Sequence, residues 1–314
     1  MFLKFLLRRL LYVIPLLLVS TLVVFSLTLL IPGDPVLAML GQTATHSKVL
    51  ELRRQLGLNQ PVIIQYFHWL INAIHGNLGR SVFTGELVSQ AVSQTFFVTM
   101  QLVVVGMIFS VAGGLFFAIM SIYFPNSWMD YVARFFGTLG TAIPNFLLAM
   151  ILIIVFSLKL NWLPATGFTN VTAGPISFLK EILLPGFSLS LVGIAVITRH
   201  LRSSLMETMD ADYVRTAYSK GASRYRVIFK HSLQNAMLPV VTTIGLLFGT
   251  MLGATVVVEN IFAIPGMGQL IVNAIGQRDF PIVQGVVLVM IVMVVAINFI
   301  TDVVYALLDP RIDF

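Results

Sequence analysis

The chain has 314 residues, 58% of them hydrophobic and 10% charged, with a formal net charge of +6 and a mean hydropathy of +0.94. Soluble domains run about 45–50% apolar and about 25% charged, so the composition excludes an ordinary soluble enzyme and predicts a polytopic membrane protein. The basic excess fits cytoplasmic loops rather than nucleic acid, and the lack of any cysteine excludes disulfides and thiolate metal centres.

The N-terminus, MFLKFLLRRLLYVIPLLLVSTLVVFSLTLLIPGDP, has the basic start of a signal peptide. Its apolar run from Leu10 to Ile31 is longer than the usual 7–15 residues or so of such a segment, and no small-residue cleavage site follows. Residues 1–31 therefore read as a tail and a retained first span. An external segment at 32–95 comes next. In it SKVLELRRQLGL has Ser47 as N-cap and Gly57 as stop, and PVIIQYFHWLINAIHG opens on a proline suited to a first helical turn. Neither is long enough to cross a bilayer, so both are predicted to form a helical cap on the outer surface, either packed on the spans or offered for docking.

About 20 apolar residues are needed to cross about 30 Å of hydrocarbon. Six stretches qualify, at roughly 10 to 31, 96 to 123, 132 to 158, 183 to 200, 236 to 258 and 284 to 308; the last five make a core at 96–314. Pro185 and several serines interrupt the fourth, which membrane helices tolerate. An even number puts both termini on one side. That side then carries 12 of the 19 Lys and Arg residues, and four of the other seven (Lys48, Arg53, Arg54 and Arg80) sit in the long external segment, where the rule carries little weight. The termini and the loop at about 201–235 are thus predicted to be cytoplasmic.

That loop contains DADYVRTAYSKGASRYRVIFKH, residues 210–231. Asp210 is the expected cap of a short helix, with Asp212 near its positive end, Lys220 near its negative end and Gly221 as the left-handed terminator. Tyr213, Val214, Ala217 and Tyr218 fall on one face. Ser223 caps a second segment, RYRVIFKHSLQNAM, leading to Leu238, Pro239 and the fifth span. Two readings stay open: a basic anchor lying on lipid headgroups, or a rigid knob seated in a groove of a soluble partner. The internal capping and the small Ala217, which allows close approach, favour the knob.

No P-loop, His-Glu-x-x-His or Gly-x-Ser-x-Gly motif occurs, and the five histidines do not cluster. No catalytic and no metal-ligating residues are therefore expected; Met290 and Met293, at helical spacing, read as packing. Polar residues within spans are candidates for lining a pathway: Asn145 beside Pro144, Glu259 with Asn260, and Asn298 with Asp302. The bland alternative for each is an interhelical hydrogen bond. After Glu259, IFAIPGMGQL predicts a structured external turn.

DYVRTAYSKGASRYRVIFKHSLQNAMLPVV resembles the cytoplasmic loop of permease subunits of binding-protein-dependent ABC importers, in the branch handling dipeptides, oligopeptides, nickel and glutathione. IPGDP at 31–35, RRQLGLNQP at 53–61, QY at 65–66, GNLGRS at 76–81, NWLPATG at 161–167, VVVENIFAIPGMGQL at 256–270, RDFPIVQG at 278–285 and LLDPR at 307–311 extend the resemblance over essentially the whole chain. It implies an all-α integral membrane protein of the type I ABC importer permease fold, in a prokaryotic cytoplasmic membrane. It further implies a second homologous permease, two cytoplasmic ATPase subunits that hold the ATP and Mg, an extracytoplasmic solute-binding protein docking on the outer face, and no cofactor in this chain.

The loop would then be a coupling helix, with Ala217 and Gly221 at the Ala and Gly of the family's Glu-Ala-Ala-x-x-x-Gly pattern. Arg215 and Thr216 stand in place of its Glu and first Ala, and Asp212, Tyr213 and Lys220 complete the set expected to engage the ATPase. The implied solute is a di- or oligopeptide, with nickel or a nickel chelate as alternative. An ion-coupled secondary transporter is the alternative from another class; it would need inverted repeats and a buried coupling carboxylate, and no internal repeat is apparent.

Overall fold

The computed structural model describes residues 2–30, 36, 40, 45–55 and 57–308. The IPGDP motif and the end of LLDPR lie outside them. In hydrocarbon each backbone polar group must be satisfied within the chain, and the long apolar runs accordingly form helices. α1 (Phe2–Leu30), α2 (His46–Gln55), α3 (Val62–Ile74) and α4 (Val88–Tyr123) come first, followed by α5 (Trp128–Ala142) and α6 (Asn145–Leu152), which continues in wider turns over Ile153–Lys159. α7 (Pro175–Met209), α8 (Asp212–Ser219), α9 (residues 224–236), α10 (Leu238–Phe262), α11 (Met267–Gln277) and α12 (Phe280–Leu308) complete the described chain.

α1, α4, α7, α10 and α12 are each long and apolar enough to cross a membrane. The predicted third span, 132 to 158, departs from expectation. It is not one helix: α5 and α6 meet at an angle of 108°. The cause is local. Pro144 disfavours the helical region for the residue before it, and both Ile143 (φ −91°, ψ 119°) and Pro144 (φ −62°, ψ 140°) are extended. Counting the bent pair as one span gives six among the described residues.

The chain packs as two compact units. One comprises residues 1–2, 100–264 and 296–314. Its centre is α7, the most buried of the candidate spans: 72% of its most apolar window is buried, against 17% for α1 in the other unit. Ile197, Leu201 and Leu205 of α7 pack with Ala118, Ile119 and Ile122 of α4, Ile228 and Ala236 of α9, and Val240 and Leu247 of α10. α5 lies on α7 at backbone distance. A methyl group added at Gly140 would come within 2.6 Å of Ala195 Cβ and 2.7 Å of the Leu191 carbonyl oxygen. Ser110 of α4 donates to the Ser190 carbonyl of α7 at 3.1 Å.

The other unit comprises residues 3–99 and 265–295. Here α3 packs on α1 through Tyr66, whose hydroxyl lies 3.0 Å from Thr21 Oγ1 and whose ring is 5.7 Å from that of Phe25. α2 begins at His46, so its cap position falls on Thr45 rather than on Ser47, while Gly57 is left-handed (φ +68°) just beyond it. The loop after α3 is held by a bridge between Arg80 and Leu87 and by Asp279, whose carboxylate accepts from the Ser81 hydroxyl and from the Val82 amide at 3.2 Å.

Candidate coupling loop and pathway residues

α7 runs to Met209, which places Asp210 at its C-terminal cap. The expectation that Asp210 caps the next helix is therefore corrected. α8 starts after Ala211, which offers no side-chain cap. Its other end is as predicted. Gly221 is left-handed (φ +80°), with its amide donating to the Tyr218 carbonyl at 2.9 Å and the Ala222 amide to the Ala217 carbonyl at 3.1 Å. This is the double closure of a glycine-terminated helix. Ser223 Oγ then accepts from the Arg226 amide at 3.4 Å and starts α9.

The apolar face of α8 turns inward. Val214 and Ala217 are buried against Val227, with Met209 and Ala222 beside them. The small Ala217 thus packs closely against this subunit's own loop. Tyr213 and Tyr218, from the same predicted face, sit at its edges, 45% and 41% exposed. Tyr213 accepts from Asn235 Nδ2 at 2.9 Å, which ties α8 to the end of α9. Asp212, Arg215, Thr216, Ser219, Lys220 and Gly221 are exposed, and Arg215 lies 3.7 Å from Asp212. The projecting surface is therefore polar and of mixed charge. An exposed aromatic pair, Tyr225 and Phe229, with ring centroids 4.6 Å apart, stands next to it. The i, i+4 spacing in RYRVIF was a signal for that pair that the sequence reading passed over.

Of the four candidate pathway residues, Asn145 lines a cavity and the other three do not line it. Asn145 opens α6 directly after the bend, and its Oδ1 is buried with no hydrogen-bond partner among the described residues. It lines a cavity of about 60 Å³ with Leu189, Val192 and Gly193 of α7 and Leu247, Thr250, Met251 and Ala254 of α10. That volume suits water molecules, not a peptide. Glu259 is fully buried in the last turn of α10, where its backbone carbonyl accepts from the Ala263 and Ile264 amides. Asn260 next to it is exposed and donates to the Val256 carbonyl at 2.7 Å. Asn298 and Asp302 are half-buried in α12. None of Glu259, Asn260 and Asn298 lines the cavity.

One polar cluster escaped the sequence reading. Asp130, 1% exposed at the start of α5, accepts from Ser121 Oγ, from the Asn126 amide at 3.3 Å and from Arg134 Nε at 3.2 Å; Arg202 Nη2 of α7 lies 3.4 Å away.

The family profile described as binding-protein-dependent transport system inner membrane component matches residues 110–314, and the profile of the N-terminal part of such components matches residues 2–103. The chain belongs to this family. Full-length relatives agree with the assignment. A dipeptide transport system permease protein of Alkalihalophilus pseudofirmus is 36% identical over 332 residues, covering 99% of this chain and all of that one. A peptide permease protein of Brucella ovis is 40% identical over 315 residues, covering 99% of each. Among solved structures, the methionine ABC transporter MetNI in an inward-facing form aligns with a TM-score of 0.55 at 16% identity, over 70% of this chain and 97% of that one. The fold is that of an ABC importer permease, and the chain is a multi-pass permease subunit of such an importer.

Proposed function

We propose that this permease forms half of a peptide translocation pathway, with a second, homologous permease as the other half. Two cytoplasmic ATPases hold the ATP and Mg and engage α8, so the chain itself performs no covalent chemistry and needs no cofactor. A solute-binding protein docks on the outer face, including the cap at 32–95. Both termini are cytoplasmic, supported by the distribution of Lys and Arg over six crossings. A di- or oligopeptide is the solute, supported by the names of the full-length relatives.

The observation that carries the coupling role is the inward turn of Val214 and Ala217. It fixes α8 on the subunit and leaves Asp212, Arg215, Thr216 and Lys220, flanked by Tyr213 and Tyr218, as a rigid surface for a protein partner. A helix lying on lipid would present the opposite, apolar face outward. Asn145, beside the bend, is the pathway residue best placed to meet solute or water; Glu259, Asn260 and Asn298 are retained as candidates.

The test is purification of the tagged chain in mild detergent. A second permease and P-loop ATPases are expected with it, and Thr216→Trp is expected to lose the ATPases while keeping the permease partner. A chain that comes down alone and still drives uptake after reconstitution would refute the reading in favour of a secondary transporter. Competition between a labelled dipeptide and radioactive nickel on the co-purified binding protein decides the solute.

A further inference from the structure

Two arginines, one on either side of α8, are tied to consecutive residues of α4. Before α8, Arg202 of α7 donates from Nε to Ser121 Oγ at 2.7 Å. After α8, Arg224, the first residue of α9, donates from Nη2 to the Ile122 carbonyl at 2.8 Å. Ser121 and Ile122 lie in the last turn of α4, where backbone carbonyls have no partner within the helix, so Arg224 fills a vacancy that every helix end leaves. Ser121 in turn donates to Asp130 of α5, which also faces Arg202 and Arg134. One buried carboxylate therefore gathers a hydroxyl from α4 and guanidinium groups from α5 and α7. A buried carboxylate holds such partners because losing one of its arginines leaves its charge less compensated.

The apolar clusters around the loop do not themselves include α5. α8 rests on Val227, Met209 and Ala222, all within the loop or its flanks. The larger apolar cluster joins α4, α7, α9 and α10 but contains no residue of α5. α5 is held apolarly further along, by Phe136 stacked on Phe117 of α4 at 5.0 Å and by Gly140 against α7, and at its first turn Asp130 adds the polar tie.

We infer that Asp130, Arg202 and Arg224 form a clamp that makes the α4–α5 turn move as one body with the coupling loop. Displacement of α8 is thereby delivered to α5 and the bent α5–α6 pair instead of being absorbed in the loop. The three are positioning residues, and the inference rests on the reading of α8 as the element that engages the ATPases.

Hydrogen–deuterium exchange of the complete complex, permease pair plus ATPases, with and without ATP and vanadate, tests it. In the parent, nucleotide is expected to alter exchange in peptides spanning 210–222 and also in those spanning 120–135. In Arg202→Ala/Arg224→Ala the change is expected to stay confined to 210–222, with 120–135 exchanging about tenfold faster at rest, the scale of a lost charge-assisted hydrogen bond. ATPase retention and basal hydrolysis should be unchanged, because neither arginine is on the projecting surface of α8. If the double variant does not assemble, Arg202→Lys, which keeps the charge and loses the fork, is expected to weaken the response at 120–135 partially. A parent without a nucleotide response at 120–135, or variants that keep it in full, would overturn the clamp. A parent with no response at 210–222 would instead sink the coupling reading, and the clamp with it.

Discussion

Two of the predicted spans that carry a proline, the third and the fourth, behave in opposite ways. At Pro144 the chain breaks by 108° between α5 and α6. At Pro185 it does not break at all, and the 35-residue helix α7 runs on to Met209. Both rings remove a donor and crowd the preceding turn, so the difference lies in the surroundings. Pro185 is buried in the middle of the best-packed helix, with Ser188 donating to its carbonyl at 2.7 Å and Ser110 donating to the Ser190 carbonyl one turn on. These hydroxyls add bonds on either side of the ring without reaching the Glu181 carbonyl that lost its donor, and the helix is kept continuous by α4, α5 and α10, which press on it from several sides. Around Pro144 the neighbours are exposed or half-buried, the Asn145 side chain supplies no cap, and the cheapest conformation for Ile143 is extended. Between these two helices the bend falls where packing is thin and the proline is absorbed where packing is dense; thin packing alone does not force a bend, since α1 runs unbroken through Pro15 with only 17% of its window buried.

The strongest way to break that comparison is Pro144→Ala. The substitution removes the roughly 3 kcal/mol or more that proline imposes on a straight helix, leaving only the contacts with α7 to hold the bend. In this cysteine-free chain, spin labels at Thr138 and Leu158, both exposed, report the angle directly. A straight helix would place them about 30 Å apart, and a population near that distance is expected to appear beside the shorter parental one. A distribution that stays short would mean that packing on α7 suffices without the proline.

A sharper, smaller effect is expected at the α5–α7 contact itself. Gly140→Ala drives a methyl group into the Leu191 carbonyl oxygen and Ala195, so it should cost about 2 kcal/mol, in the usual range for overpacking. Gly137→Ala, one turn earlier with nothing within 4 Å of the added methyl, should be neutral or stabilising by up to about 1 kcal/mol. Thermal unfolding of the two variants in detergent measures the difference. Equal shifts would show that α5 can slide off α7, and the dense-packing half of the comparison would fail.

Hydropathy made the spans legible but not their ends. α7 starts at Pro175 instead of near 183 because Lys180 and Glu181 look too polar for a span; in the structure the Glu181 carboxylate is satisfied by the Thr169 amide and hydroxyl, and the helix carries both residues. At its other end α7 runs on to Met209 instead of stopping near 200, which took Asp210 away from α8. Helical periodicity put Val214 and Ala217 on one face, and Gly221 and Ser223 announced their own turns. Periodicity cannot tell whether such a face meets a partner or the chain's own loop, since both bury the same side chains. The Asp130 cluster left no local trace. Its members at 121, 130 and 202 are separated by up to 81 residues, and a single Asp or Arg near a span end is what every topology signal already expects.

The smallest expected effect comes from Pro185→Ala, and its smallness is the informative part. The new amide can donate to the Glu181 carbonyl, a gain of about 1 kcal/mol by the usual net value of an internal hydrogen bond. Against this, the buried ring loses two methylene groups that touch neighbouring side chains, and a tightly packed site does not collapse to fill the space. The two terms nearly cancel, so the unfolding midpoint should move by no more than the equivalent of about 1 kcal/mol, and the helix content seen by circular dichroism should not change. The same substitution 41 positions earlier, at Pro144, is expected to reshape the chain. If instead Pro185→Ala were to stabilise the protein by about 3 kcal/mol, the full penalty of a proline in a helix, then α7 would be holding a strained proline under load. The continuity of α7 would then be a cost borne for function rather than a consequence of dense packing.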